Sequence, residues 1–327
     1  MMLKRAVTHF GALRRLDTID VPAVQAWVNA LADGKLTAGR RLSPGSQRHH
    51  LNALSSLYRR ALAEEVAARN PAAALLDKPS GADRDEADWL EVPDAALLLE
   101  AARTLPPNTN GGPRSTFPYA YPLVATFLLT GGRQREVRGL ELDDVSFDAG
   151  TVTSRPNRWR RLKIPGSHRT VPLWPQLREI LQPYVGQRVI DRGGTLVFPA
   201  TGPGGAEQMI ADFRKLLDAV AKRAGWQAGE IRSKRFRHTY ISARIQTTDG
   251  GAPVSVFTVA REVGHSSTAM IEKVYGHLGA RRHRSPVVEY RAEQHASILG
   301  DRLTALARPR GGKTVPATVP EPAEPAA

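Results

Sequence analysis

Apolar residues recur at helical spacing in two stretches near the start of the chain. In IDVPAVQAWVNALADG they fall at Val24, Trp27, Val28 and Leu31, with Asp20 placed to cap the first turn and Pro22 inside it, where a missing N–H does no harm. In LSPGSQRHHLNALSSLYRRALAEEVAARNPA they fall at Leu51, Leu54, Tyr58 and Leu62, announced by Ser43-Pro44-Gly45 and stopped at Asn70-Pro71. This predicts a small all-helical domain over residues 1–76. Residues 77–88, DKPSGADRDEAD, are polar, carry Pro and Gly, lack apolar periodicity and read as a linker.

A second domain is expected over 89–307. It opens at Trp89-Leu90 with a helix through Arg103, followed by the loop PPNTNGGPRS and an apolar helix, YPLVATFLLTGG, ending in a double glycine. RQREVRGLEL predicts a short helix, and VTSRPNRWRRLKIPGSHRTVPL predicts strands joined by basic turns. EQMIADFRKLLDAVAKRAG sets Met209, Phe213, Leu216, Leu217 and Val220 on one helix face. RRHRSPVVEYRAEQHASILGDRL supplies a last helix with Val287, Val288, Ile298 and Leu299, able to pack on its own domain or on a neighbouring protomer. Residues 308–327 are rich in Pro, Ala and Gly and are expected to be disordered.

Charge narrows the partner. Forty-six Lys+Arg against 32 Asp+Glu give a formal +14 over 327 residues, which favours a polyanion, with nucleic acid ahead of an acidic membrane. There is no cysteine, so disulfides, thiolate metal sites and a cysteine nucleophile are excluded. The nine histidines are scattered with no carboxylate–histidine metal spacing, so no metal and no cofactor are expected. No apolar run reaches the roughly 18 residues of a membrane span, and the first residues lack a signal-peptide core, which points to the cytoplasm.

Four separated segments carry candidate chemistry. In LLTGGRQREVRGLELDDV, Arg133 follows the Gly131-Gly132 break and Glu136 lies three residues on, on the same helix face. Arg155, Arg158, Arg160, Arg161, Lys163 and Arg169 crowd into fifteen residues, a density that suits a phosphate-facing hairpin, with protection of a sheet edge as the competing account. In RSKRFRHTYIS, Lys234 and Arg237 project from one helix face while Phe236 and Tyr240 turn to the core. In GHSSTAMIEKVYGHL, His265 precedes Tyr275 by a distance that needs a bend to bring them together.

The ordered set resembles the tyrosine recombinase (phage integrase) family over most of the chain. TGGRQREVRGLELDDV is similar to that family's first arginine box, KRFRHTYIS to its second, and VGHSSTAMIEKVYGHL to its His-to-Tyr segment. The helical stretch before residue 76 resembles the core-binding (SAM-like) domain that precedes the catalytic one. Lys234 stands where the second box more often has His. The core-binding domain is short at its start, with no arm-type DNA-binding domain before it, which leaves room for an N-terminal truncation.

The resemblance implies a mainly helical α+β fold closing as a C-shaped clamp round double-stranded DNA. It implies a site-specific integrase of a mobile element that cuts and rejoins DNA through a 3′-phosphotyrosine and a Holliday junction, without metal or ATP. It also implies a homotetramer on two DNA sites, with an accessory directionality factor as a further partner. Tyr275 would be the nucleophile, and Arg133 and Arg237 would grip the non-bridging phosphate oxygens, because guanidinium is planar, bidentate and always charged. Lys163 would be the general acid, and His265 would donate to the phosphate. Lys234 would be either a further phosphate donor or the acceptor of the tyrosine proton. Glu136 would orient the clamp, His238 would pack behind it, and Arg155, Arg158, Arg160, Arg161 and Arg169 would contact DNA. Two rival readings are a type IB topoisomerase, which would relax DNA as a monomer, and a catalytically silent DNA-binding regulator, which need not keep every reactive position.

Overall fold

The computed structural model describes residues 2–79, 88–106, 119–161, 168–201, 204–280 and 285–307. The chain divides into two compact units, Met1–Asp85 and Glu86–Ala327.

The first unit holds α1 (Lys4–Phe10), α2 (Val21–Ala32) and α3 (Pro44–Ala63). Asp20 accepts from the Ala23 N–H at 2.9 Å and Ser43 from the Ser46 N–H at 3.3 Å, so both long helices start at side-chain caps. Val24, Trp27, Val28 and Leu31 pack against Leu51, Leu54 and Tyr58. Leu62, expected on that face, is exposed. α3 also ends before Asn70-Pro71. Glu65 turns left-handed (φ 58°), and the Val66 and Glu65 N–H groups return to the Ala61 and Leu62 carbonyls. This double return closes the helix, with Glu in the place usually held by Gly.

The second unit is built round α5 (Ala120–Thr130), of which every residue except Tyr121 is buried. α4 (Val92–Arg103), α7 (Pro175–Arg192) and α9 (Ser233–Ile245) pack against it. α6 (Gln134–Arg138) follows α5 and leads to a three-stranded antiparallel sheet of β1 (Val145–Ser146), β2 (Thr151–Ser154) and β3 (Arg169–Pro172). Val152 pairs with Val145 on one side and Val171 on the other, and all three are buried. α8 (Arg214–Arg223) starts later than its apolar pattern suggests. Asp212 accepts from the Arg214 N–H at 2.9 Å and sets the first turn there, while Met209 bridges Pro199 in extended backbone.

After α9 come the short strands β4 (Thr248–Asp249) and β5 (Ala252–Pro253), then α10 (Val256–Val263), α11 (Ala269–Tyr275) and α12 (Ala296–Ala307). α12 packs on α4 of its own unit through buried Leu299 and Leu306, leaving Ile298 exposed. Gln176 fastens the preceding segment by donating to the Tyr290 carbonyl at 3.0 Å and accepting its N–H at 2.7 Å.

Two of the arginines expected to face DNA are structural. The Arg160 side chain is fully buried and pairs with equally buried Asp144 at 2.7 Å. It also donates to the carbonyls of Arg155 at 2.7 Å and Glu136 at 3.1 Å, and to that of Gly139, tying the hairpin to the end of α6. Arg169, also buried, is described with the site below. Arg155 adds a 2.7 Å pair to Asp144 from the surface, and exposed Arg158 pairs with Glu207 over the Trp159 ring. Arg161 is exposed.

Asp144→Ala leaves the Arg160 guanidinium buried without its counter-charge. We expect the unfolding free energy of this unit to fall by about 3–5 kcal/mol, read from urea unfolding followed by tryptophan fluorescence. Unchanged stability would show that the pair is idle.

Candidate active site

The first arginine is positioned by two glycines. Gly131 ends α5 in the left-handed region (φ 59°), and a Cβ there would lie 2.6 Å from the Tyr240 ring. A Cβ on Gly132 would lie 2.5 Å from Val137. The turn therefore tolerates no side chain, and it brings Arg133 to the N-cap of α6. Glu136, one turn on, accepts the Arg133 backbone N–H at 2.6 Å and its Nη1 at 3.0 Å.

The second organising feature is the C-terminus of α10. Gly264 closes that helix in the left-handed region (φ 63°), and the His265 N–H returns to the Ala260 carbonyl at 2.9 Å while the Gly264 N–H reaches that of Arg261 at 3.0 Å. The next three carbonyls have no partner within the helix. Each accepts from a different arginine: Glu262 from Arg169 Nε at 2.7 Å, Val263 from Arg237 Nη2, and Gly264 from Arg133 Nη2 at 3.2 Å. The negative end of the helix dipole favours these cations. Arg237 also donates to the Gly131 carbonyl at 3.0 Å, so the two glycine turns and the two boxes share one clamp. Arg169 completes it with a 2.6 Å pair to Glu136.

Electrostatics follow from this crowding. Burial alone would raise the Glu136 carboxyl, but Arg169 and Arg133 draw it down to about 2. Arg237 is pushed down to about 9 by burial and by Arg133 and Arg169, and it still carries its charge at neutral pH. Burial and the same three guanidinium groups push His265 down to about 4, so it is neutral. Its buried Nδ1 has no hydrogen-bond partner among the described residues.

Tyr275 is only 1% exposed. Its hydroxyl shares a short hydrogen bond with His238 Nδ1, and its ring lies 5.6 Å from that of Trp89. Burial raises the hydroxyl above its usual value, opposed by Arg237. His238 is pushed down to about 4 by burial, Lys234 and Arg237. His238 therefore differs from its expected place behind the clamp, because it touches the tyrosine hydroxyl directly. Lys234 is exposed on the first turn of α9, and Lys163 lies outside the described residues.

The structure thus gathers Arg133, Glu136, Arg237, His238, His265 and Tyr275, and adds Arg169 from the hairpin. Arg155, Arg158 and Arg160 lie outside this group, in the ion pairs at Asp144 and Glu207, and of the three only Arg160 is buried. Three supporting residues, Trp89, Glu262 and Arg244, were given no role at the site from the sequence. Trp89 covers Tyr275 as the first large apolar residue after the linker. Buried Glu262 accepts from the Tyr240 hydroxyl at 2.8 Å and from Arg244 Nε at 3.0 Å, locking α10 to α9. Its signal was a carboxylate in helical phase with Val259 and Val263.

Comparison with known proteins identifies the family and the fold. The sequence profile of the phage integrase family matches residues 94–282. An integrase of Streptomyces ambofaciens is 27% identical over 307 residues, covering 88% of this chain and 70% of the relative. Among solved structures, XerH site-specific recombinase bound to palindromic difH superposes with a TM-score of 0.61 at 15% identity, covering 86% of this chain and 75% of that one. The Tn1549 transposon integrase in complex with a circular intermediate DNA gives 0.58 at 14% identity, covering 80% and 82%. A lambda integrase dimer bound to a COC′ core site gives 0.54 at 16%, covering 82% and 86%. Among the described residues no helix is long and apolar enough to cross a membrane. The chain belongs to the phage integrase family of tyrosine recombinases, site-specific enzymes that break and rejoin DNA.

Proposed function

We propose that Tyr275 is the nucleophile of a metal-free and ATP-free recombination reaction. The observation that carries this is the placement of its hydroxyl against His238, the neighbour in sequence of Arg237, whose guanidinium shares the α10 carbonyl row with Arg133. Arg133 and Arg237 hold the two non-bridging oxygens of the scissile phosphate. Charge on those oxygens grows towards the pentacoordinate transition state, so the clamp stabilises it more than the ground state.

The tyrosine oxygen forms a bond to phosphorus as the bond to the 5′ oxygen breaks. The tyrosine proton passes to His238, and Lys163 supplies the proton that leaves with the 5′ hydroxyl. His238 is a weak base while the pocket is closed, and an entering phosphodiester brings a negative charge that raises it. His265 donates a hydrogen bond to the phosphate, and Lys234 adds a further donor from the first turn of α9. The 3′-phosphotyrosine conserves the bond energy, so a 5′ hydroxyl from a second strand reverses the step and passes the junction on through a Holliday intermediate. Four protomers on two DNA sites, with an accessory factor setting direction, complete this reading. The first unit binds the duplex as well, and Arg158 and Arg161 reach phosphates beside the site.

Tyr275→Phe should abolish covalent protein–DNA adducts while DNA binding stays nearly intact, because one hydroxyl contributes little to a multi-phosphate interface. Adducts trapped from the Phe variant on a denaturing gel would sink the assignment. Arg133→Lys and Arg237→Lys keep charge but lose the bidentate fork, so the single-turnover cleavage rate should fall by about two orders of magnitude. Equal rates would reduce those arginines to surface charge. Lys163→Ala should be strongly impaired on ordinary DNA and largely restored on a substrate with a bridging 5′ sulfur, since a thiolate leaves without a proton. A similar defect on both substrates would move the acid role elsewhere.

A further inference from the structure

Arg169 lies on β3, outside both arginine boxes, yet it makes two of the contacts on which the clamp is built. Its Nε donates to the Glu262 carbonyl at 2.7 Å, the first of the three carbonyls that end α10. Its Nη2 lies 2.6 Å from Glu136 Oε2, the oxygen that also accepts the Arg133 backbone N–H. The side chain is 5% exposed and Glu136 is 8% exposed, so neither is available to a DNA phosphate and neither is screened by solvent. Arg133, by contrast, is 33% exposed beside them.

Charge decides what this arrangement does. Arg133, Arg169 and Arg237 bring three positive charges, Glu136 brings one negative charge, and the charge of Glu262 is already balanced by Arg244. The net +2 matches the two negative charges that a phosphodiester approaches as a fifth oxygen joins it. Without Arg169, buried Glu136 would have Arg133 as its only cationic partner, and a buried carboxylate holds its remaining cation more tightly. The clamp would then present a net +1, with Arg133 drawn back towards Glu136.

We propose that Arg169 is a positioning residue for DNA cleavage, which balances Glu136 and pins the end of α10 so that Arg133 turns its charge to the scissile phosphate. This rests on Arg133 being a phosphate ligand. It also ties β3 to the clamp, because Arg169 joins that strand to both Glu136 and the end of α10.

The test compares single-turnover cleavage of pre-bound DNA with DNA affinity in five variants: Arg133→Ala, Arg169→Met, Arg169→Lys, Glu136→Gln and the double Glu136→Gln/Arg169→Met. For Arg169→Met the cleavage rate should fall by about ten- to a hundredfold, the size of a charge-assisted hydrogen bond, while the Kd for DNA changes by less than about threefold. The double variant restores the net +2 and should regain about tenfold over Arg169→Met. Arg169→Lys keeps the balancing charge, so it should cleave faster than Arg169→Met, and it remains informative if the Met variant melts early. A wild-type rate in Arg169→Met, a double variant no faster than the single, or equal defects in Lys and Met would overturn the proposal. A loss of DNA affinity as large as the loss of rate would instead make Arg169 a DNA contact and also overturn it. Cleavage by Arg133→Ala at the wild-type rate would defeat the clamp reading itself, whatever Arg169 does.

Discussion

The end of α10 is the constraint on which the site depends. A helix leaves its last carbonyls without partners, and burying them unsatisfied costs about 1–3 kcal/mol each. Gly264 turns the chain left-handed, which satisfies the carbonyls of Ala260 and Arg261 by backbone return. Those of Glu262, Val263 and Gly264 then accept from Arg169, Arg237 and Arg133. Three like charges would repel one another in a buried place. Here they are held by three consecutive dipoles and one carboxylate, Glu136, all contributed by rigid elements. The side chains are thus ordered by the protein itself, which lowers the entropy cost of any contact they make with a ligand.

The scaffold behind the clamp shows the same economy. Asp144 gathers Arg155 and Arg160 at the base of the hairpin, and Glu262 gathers Arg244 and Tyr240 between α9 and α10. Each carboxylate joins elements far apart in sequence. Buried pairs of this kind add little net stability compared with apolar packing, but breaking one strands a charge. They therefore fix how the hairpin, α6, α9 and α10 register on one another, and that register is what the positions of Arg133 and Arg237 inherit. Tyr240 shows the coupling directly, since its hydroxyl meets Glu262 while its ring fills the space that a side chain on Gly131 would need.

Much of this was legible in the sequence where a single element carries the signal. α2 follows its apolar period, α5 its apolar composition and α9 the spacing of Phe236 and Tyr240, and the double glycine marks the turn before Arg133. The sequence misled where local pattern met a competing side chain. Asp212 stops α8 from reaching back to Met209, and Glu65 ends α3 early. Charge density on the hairpin was the weakest guide, because it cannot say which arginine points inward. Strand alternation could have helped: Arg169 lies two residues before Val171, and both are buried while Thr170 between them is exposed. Arg160 gave no such signal, because its partner Asp144 lies on the far side of the sheet in sequence. The contact of His238 with Tyr275 joins helices α9 and α11, which no local period connects.

The covered state of Tyr275 sets an energetic condition on any reaction of its hydroxyl. Uncovering an aromatic side chain of this size costs about 1.5–3 kcal/mol, and giving up the hydrogen bond to His238 adds about 1 kcal/mol. Burial also holds the hydroxyl further from ionisation, which makes its oxygen a poorer nucleophile while it stays covered. The residues that cover it are not inert packing. Trp89 stands at the exit of the segment joining the two units, and next to it Asp88 pairs with Arg235 at 2.8 Å while the Leu90 N–H donates to Thr239 at 2.9 Å. This short stretch is stitched onto α9, the helix that carries Arg237 and His238. The ring over the tyrosine and the helix that carries Arg237 and His238 are thus held to one another by this stretch. The packing that covers Tyr275 and the packing that places Arg237 and His238 are therefore one arrangement, and exposing the hydroxyl means shifting side chains that α9 itself holds.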